Sequence, residues 1–310
     1  MNKNIHNLLT EQLANWTTAR NNYEALGGVQ VKELCVRGVR YKVQFNPARI
    51  VSSGAKVDAQ TIRERRCFLC PANLPPEQKG IPFGGHYQIL VNPFPIFPRH
   101  LTIPDLEHTP QRIDGRLEDM MELARLLTDY TVFYNGPRCG ASAPDHAHFQ
   151  AGNRGFMPIE ADWKKQVAGK LADYGQASLY WLADQPRATL VIQSTDKPSA
   201  VHLFGVICRL LPPQPEGEPM LNLLAMYDEG SWTIIVFPRA KHRPACYTAE
   251  GEARLLSSPA SVDLGGVFIT PVEADFHKLS PAILEQILSE VCLSEDDFAR
   301  LRQAIQNQLS

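Results

Sequence analysis

The 310 residues are 44% hydrophobic and 21% charged, which is ordinary globular usage; it excludes a mainly disordered chain and leaves room for about two domains of roughly 150 residues. Lys and Arg number 31 against 33 Asp and Glu, a net charge of −2, which excludes the broad basic face that duplex nucleic acid needs but not a local phosphate pocket. No stretch approaches the roughly 18 consecutive apolar residues of a membrane span, the first ten residues lack the apolar run of a signal peptide, and an odd seven cysteines fit a reducing cytoplasm better than a disulfide framework.

In chain order, Ile5, Leu8, Leu9, Leu13, Trp16, Tyr23 and Leu26 recur at near-helical spacing, so one amphipathic helix is predicted over 3–26, stopped by Gly27-Gly28. From Val29 to Val51 the pattern turns to alternation, with Tyr41, Val43 and Phe45 on one face of a strand. Residues 52–80 read as irregular. Tyr87–Val91 is a short apolar strand, and the prolines of 92–98 forbid helix after it. A second helix is predicted over 115–133, with Leu117, Met120, Met121, Leu123, Leu126, Leu127 and Tyr130 on one face. The 134–152 segment is loop, then strand, and 160–173 reads as helix. Thr189–Gln193, His202–Leu211, Leu221–Tyr227 and Trp232–Phe237 read as strands, and 280–308 as two helices, the second capped at Ser294. Tyr87-Gln-Ile-Leu-Val leads to Phe97-Pro-Arg99, and Trp232-Thr-Ile-Ile-Val leads to Phe237-Pro-Arg239. This echo suggests a duplicated β unit; coincidence between two turns is the alternative.

The sharpest chemical feature is Asp145-His-Ala-His-Phe-Gln-Ala151. As a strand it places His146, His148 and Gln150 on one face and Ala147, Phe149 and Ala151 on the other. Burying three polar side chains together is costly without a purpose. One imidazole can be a ligand or an orienting partner, and the other can attack an electrophile. The small-residue loop 135–144 before it lets backbone N–H groups approach phosphate oxygens. The bland alternative is a half-exposed strand with solvated histidines. Cys67-Phe-Leu-Cys70 can supply two thiolates to zinc, with His86, His100, His108 and His146 as candidates to complete a site, or can be two buried apolar cysteines. Basic residues cluster nearby in sequence: Arg49, Arg63, Arg65, Arg66, Arg99 and Arg138, then Arg239, Lys241, His242 and Arg243. Guanidinium forks suit phosphate, although most single arginines are solvated surface charges.

Together these motifs resemble the galactose-1-phosphate uridylyltransferase branch of the histidine-triad superfamily and its neighbours, the phosphorylases of diadenosine tetraphosphate and of GDP-hexoses. The likeness runs from about Tyr41 to Glu160, more faintly over 220–275. It rests on Asn46-Pro-x-Arg49, Cys-Phe-Leu-Cys-Pro-x-Asn73 and His146-x-His148-x-Gln150 occurring in that order. His148-Phe-Gln-Ala151 followed by Met157-Pro-Ile-Glu160 is closer to the GDP-hexose phosphorylases. The resemblance implies an α+β fold of two histidine-triad-like halves, with antiparallel sheets and flanking helices, packed as an intramolecular pseudo-dimer. The halves are expected at 1–175, which keeps the motifs, and 176–310, which is degenerate and ends in helices.

It further implies a covalent nucleotidyl intermediate on His148, with Gln150 hydrogen-bonding the phosphoryl group. Cys67, Cys70, His100 and His146 fall on the ligand positions of a structural zinc, and Arg49 and Asn135 on phosphate or nucleotide contacts. Ser142, in the loop before the histidines, is taken as a further substrate contact. Arg239 and Lys241 are the candidates for a phosphate contact from the second half, with a plain surface turn as the alternative. The sequence departs from the uridylyltransferase pattern in having Ala147 between the histidines and an extra Asp145 after Pro144. The expected substrate is a nucleoside diphosphate sugar or a dinucleoside polyphosphate, with phosphate or a sugar phosphate as acceptor. A hydrolase of the same superfamily and a non-catalytic, zinc-stabilised nucleotide-binding protein are the competing readings. Relatives dimerise, but an internal duplication can replace the second subunit, so the resemblance leaves a homodimer open.

Overall fold

The computed structural model describes residues 1–50, 57–183, 186–214 and 217–309; Val51, the last residue of the predicted alternating segment, and 52–56 lie outside them. Two helices, α1 (Asn2–Asn15) and α2 (Thr17–Ala25), replace the single predicted one. The break is at Trp16, whose backbone is extended (φ −120°, ψ 100°). The strands β1 (Gln30–Val36) and β2 (Val39–Phe45) pair antiparallel, and β13 (Val267–Thr270) joins β2 in parallel to form a three-stranded sheet.

The main sheet has ten strands: β3 (Gly80–Phe83), β4 (Tyr87–Val91), β5 (His100–Pro104), β6 (Tyr130–Asn135), β7 (His148–Asn153), β8 (Val167–Tyr174), β9 (Ala177–Leu182), β10 (Leu190–Ser194), β11 (Leu221–Asp228) and β12 (Ser231–Pro238). Its spatial order, β3-β4-β5-β7-β6-β11-β12-β10-β9-β8, is a palindrome of one five-strand unit. Each unit has one helix between its third and fourth strands, α4 (Leu117–Leu126) in the first and α6 (Lys197–Leu210) in the second. The halves therefore fuse through β6 and β11, where Asn135 stands opposite Asn222. The duplication is real, but the Phe-Pro-Arg echo did not locate it. It matched β4 with β12, whereas the topology pairs β4 with β9 and β7 with β12.

Three further elements depart from the sequence reading. The segment 160–173 is no long helix: a short α5 (Pro158–Asp162) gives way to β8, an edge strand. Trp163, Val167 and Leu171 mimic helical spacing because two irregularities in the β8–β9 register disrupt strand alternation. His202–Leu211 is the body of α6, capped by Asp196, whose side chain accepts the Ser199 N–H, with Pro198 in the first turn. The predicted 115–133 helix stops at Leu126, and Tyr130 already belongs to β6. The remaining elements are α3 (Ala59–Glu64), α7 (Ser261–Leu264), α8 (Glu273–Lys278), α9 (Pro281–Val291) and α10 (Glu295–Leu309). No helix among the described residues is long and apolar enough to cross a membrane.

Two cores sandwich the sheet. One face carries α4, α6 and α10 on residues such as Met120, Leu203, Phe149, Leu223 and Ile305. On the other face, Tyr41, Val43, Phe268, Leu284 and Leu288 of the small sheet and α9 cover Leu224, Ile235 and Phe237. Over the first half, that same face is hollow.

Candidate active site and metal-ligand cluster

The hollow is a cavity of about 810 Å³, bounded by His148, Gln150, Asn135 and Ser142 on one side and by Trp16 and Phe94 on another. Strand β7 lies between β5 and β6, with Pro104 opposite His148 and Thr102 opposite Gln150. Alternation then sends Phe149 and Ala151 into the helical core, while His148 and Gln150 line the cavity. His148 is only 5% exposed. Its Nδ1 lies 2.8 Å from the His146 carbonyl, which can only accept, so Nδ1 carries the proton and Nε2 the lone pair. Burial pulls this imidazole down to about 4, against a weaker opposing effect of the same carbonyl. The ring is neutral at physiological pH.

Gln111 holds the backbone of His148. It is 1% exposed; its Oε1 accepts the His148 N–H at 2.8 Å, and its Nε2 donates to the carbonyls of His148 at 3.0 Å and Asn135 at 2.9 Å. It bridges β6 and β7 where their ladder ends, at Phe133 opposite Gln150. Sequence reading missed Gln111. A polar residue among the prolines and charges of 104–116 carries no periodic signal.

The cysteines and His146 do come together. The ligand atoms of Cys67, Cys70, His108 and His146 all lie within 4.8 Å of one another. Cys67 Sγ is 3.3 Å and Cys70 Sγ 3.6 Å from His146 Nδ1, and Cys70 Sγ is 3.1 Å from His108 Nδ1. A tetrahedral site with metal–sulfur and metal–nitrogen bonds near 2.3 and 2.1 Å needs such atoms about 3.6 Å apart, so the donors fit a metal ion. His146 Nε2 donates to the Asp105 carbonyl at 2.8 Å, which leaves Nδ1 for the ion. Burial pushes the Cys67 thiol up, but its contact with the His146 imidazole and the hydrogen bonds from the Leu69 and Cys70 N–H groups outweigh it and hold the thiol at about 6.

His100, expected as the fourth ligand, is not in this cluster; His108 stands there. The reason is register. His100 pairs with Gly152, and Pro104 with His148, so an antiparallel β5 carries His100 toward the far end of β7 and brings the residues after Pro104 to His146. His100 instead faces Gln150 Oε1 through Nε2, at 3.1 Å.

The other predicted contacts divide. Arg49 lines the cavity; its Nη1 donates to the Phe94 carbonyl at 2.6 Å, and burial lowers the guanidinium to about 10 despite Asp263. Asn135 also lines it, but its Oδ1 is taken by Asn222 Nδ2 at 2.9 Å and by the Ser261 N–H at 2.9 Å and hydroxyl at 2.7 Å. Only its amide NH2 can serve a ligand. Arg239 is not on the cavity wall. It is 3% exposed and donates to Val291 O, Asn222 Oδ1, Pro259 O, Lys241 O and His242 O, which uses all five guanidinium protons. Lys241 Nζ faces Glu290 Oε2 at 3.5 Å, also off the wall. Their neighbours His242 and Arg243 do line the cavity. The extra Asp145 pairs with Arg65, and its other oxygen lies 3.7 Å from His108 Nε2. Glu160 caps its own turn, accepting from the Met157 and Gly155 N–H groups and the Thr131 hydroxyl.

Residues 8–153 match a family described as a domain of unknown function, DUF4922, and residues 160–310 match one described as GDPGP1-like, C-terminal domain. No curated protein sequence matches the chain. Among solved structures it resembles the yeast Ap4A phosphorylase Apa2, with a TM-score of 0.59 and 18% identity over 89% of this chain and 94% of that one. The same yeast enzyme in complex with Ap4A gives a TM-score of 0.58 and 17% identity over 90% and 97%. The chain thus has an α+β fold like that of the yeast Ap4A phosphorylase, and its residues 160–310 match the GDPGP1-like C-terminal domain.

Proposed function

We propose that this chain is a nucleotidyltransferase of the phosphorylase type, acting through a covalent nucleotidyl-His148 intermediate. The observation that carries the reading is the state of His148: a neutral imidazole, its Nδ1 proton tied to the His146 carbonyl, on the wall of a cavity within the about 300–1,000 Å³ range of small-molecule sites. Nε2 attacks the α-phosphorus of a nucleoside diphosphate sugar or dinucleoside polyphosphate. The N–P bond forms as the bond to the bridging oxygen breaks, and the rest of the substrate leaves as a sugar phosphate or, from a dinucleoside polyphosphate, as the remaining nucleoside polyphosphate. Phosphate or a sugar phosphate then attacks the same phosphorus, displaces Nε2 and carries the nucleotide away.

The remaining work is positioning and charge stabilisation. Arg49, the NH2 groups of Gln150 and Asn135, and Ser142 surround the phosphoryl path. His242 and Arg243, rather than Arg239 and Lys241, supply the contribution of the second half. Zinc on Cys67, Cys70, His108 and His146 would be structural, because four protein ligands leave no open position. Its consequence for the chemistry would be indirect: it would fix His146, whose carbonyl orients His148. The likeness to an enzyme solved in complex with Ap4A supports a nucleotide substrate.

The test is intact-protein mass after incubation with UDP-, GDP- and ADP-sugars and diadenosine polyphosphates. An acid-labile gain of one nucleoside monophosphate, absent in His148→Ala, is expected. Turnover of a donor by the His148→Ala variant at the wild-type rate would end the proposal, and water alone resolving the adduct would make the protein a hydrolase.

A further inference from the structure

His100 is fully buried and does not reach the metal-ligand cluster. A buried polar ring without a role is costly, and its hydrogen bonds define one. Nδ1 accepts the Ile96 N–H at 3.2 Å, so this nitrogen bears the lone pair and the proton sits on Nε2. Nε2–H then donates to Gln150 Oε1 at 3.1 Å. The direction is forced, because a carbonyl oxygen has no proton to give. Gln150 thus spends its oxygen on His100 and has its NH2 group left, on the residue that shares the cavity face with His148.

We propose that His100 is a positioning residue for nucleotidyl transfer: it locks the amide of Gln150 so that the NH2 group, not the carbonyl oxygen, faces the phosphoryl group attacked by His148. The inference rests on the transfer reading given above. Without the lock, the Gln150 amide can turn over about its last torsion and present an oxygen to anionic phosphoryl oxygens. Both the backbone and the ring of His100 are held. The Tyr23 hydroxyl of α2 donates to the His100 carbonyl at 3.0 Å and accepts its N–H at 3.3 Å. Phe97 packs edge-on at 5.2 Å and Phe133 at 5.9 Å. Phe97 fits there because residue 152 is glycine; a Cβ would come within 2.5 Å of its ring. Burial, and then the charge of Arg49, push the His100 imidazole down to about 3, so a second proton does not disturb this order at working pH.

The experiment is a double-mutant cycle on the rate of adduct formation and on kcat and KM, using whichever of Ap4A, UDP-glucose and GDP-glucose labels the wild type. His100→Ala is expected to slow transfer about 10- to 100-fold with KM changed less than about threefold, since misorientation costs rate rather than binding. The double variant His100→Ala/Gln150→Ala should be no slower than Gln150→Ala alone. His100→Gln, which keeps an N–H donor, should recover most of the rate; His100→Leu, which keeps bulk but no donor, replaces the alanine in the cycle if the alanine variant does not fold. A merely structural role would multiply through both backgrounds. A multiplicative cycle, or wild-type transfer by His100→Ala, overturns the positioning role alone. A wild type that forms no adduct with any donor refutes the transfer reading and this proposal with it.

Discussion

The two halves of the main sheet have the same strand order and put opposite materials on the same face. Strand β7 turns His148, Gln150 and Gly152 to that face; its counterpart β12 turns Thr233, Ile235 and Phe237 there. In the second half, α9 and the small sheet bury Ile235 and Phe237 in a continuous apolar core. In the first half the corresponding space is a cavity. One half has become the scaffold that completes the other. The arms that cross between them follow this division: Asn222 and Ser261 hold Asn135, and Arg239 ties Asn222 to the Pro259, Val291 and Lys241 backbone.

If the comparison is right, the same kind of substitution has different currencies in the two halves. The largest effect is expected at His148: alanine should cut turnover by about 10⁴-fold or more with little change in melting temperature. Ile235→Ala, on the corresponding face of the other half, should cost about 2–4 kcal/mol of stability and leave kcat within about twofold. Denaturant unfolding and turnover, measured side by side, decide this; an Ile235→Ala variant that folds normally but loses turnover breaks the comparison. Next in size is the metal. His108→Ala should weaken zinc binding by about 100-fold or more, because a missing ligand costs at least as much as a missing outer partner. His100→Ala should keep the wild-type zinc content, which metal analysis of the purified proteins reads directly. Arg239→Met should then lower stability by about 2–4 kcal/mol, as expected when a buried hydrogen-bonded network loses its centre. Its KM should stay near the wild-type value, whereas Arg243→Ala should raise KM. A raised KM with unchanged stability in Arg239→Met would return that residue to the substrate side.

What the sequence made legible follows from range. His146-x-His148-x-Gln150 could be read because a period of two is a local property of any strand, and the Cys-x-x-Cys turn because four residues define it. The fourth ligand could not, because it depends on the register between β5 and β7, about 45 residues apart in the chain. His100 and His108 both follow Cys70 within 40 residues, and only antiparallel pairing separates their roles. Arg239 looked like a phosphate arginine because its sequence neighbours are basic, yet its partners come from 222, 259 and 291. Residues 202–211 read as strand because Val206 and Ile207 are β-branched; the cap at Asp196 and Pro198 in the first turn of α6 outweigh that preference. Strand β8 was read as helix because its bulges erase the alternation that would have marked it.

The smallest effect tests the seam itself. Glu218, just before β11, reaches into the first half: its Oε2 accepts the Ile113 N–H and its Oε1 the Tyr134 hydroxyl of β6. It is 4% exposed, and burial pushes its carboxyl up from 4.5 to about 7, against the hydrogen bonds of Tyr134 and Ile113 and the charge of Arg112. A carboxyl whose folded pKa is raised holds a proton that the unfolded chain has already released. Its contribution to stability is therefore fully present below about 4.5 and lost as pH rises through 7. A rise of this size corresponds to on the order of 3 kcal/mol. Glu218→Gln keeps one acceptor and one side-chain shape but cannot ionise. The variant should show a flatter stability profile than the wild type between pH 5 and 8, with the two curves diverging on the alkaline side. Parallel curves would mean that Glu218 is charged in the folded state, and that the first half accepts a carboxylate from the second across the seam rather than a neutral acid.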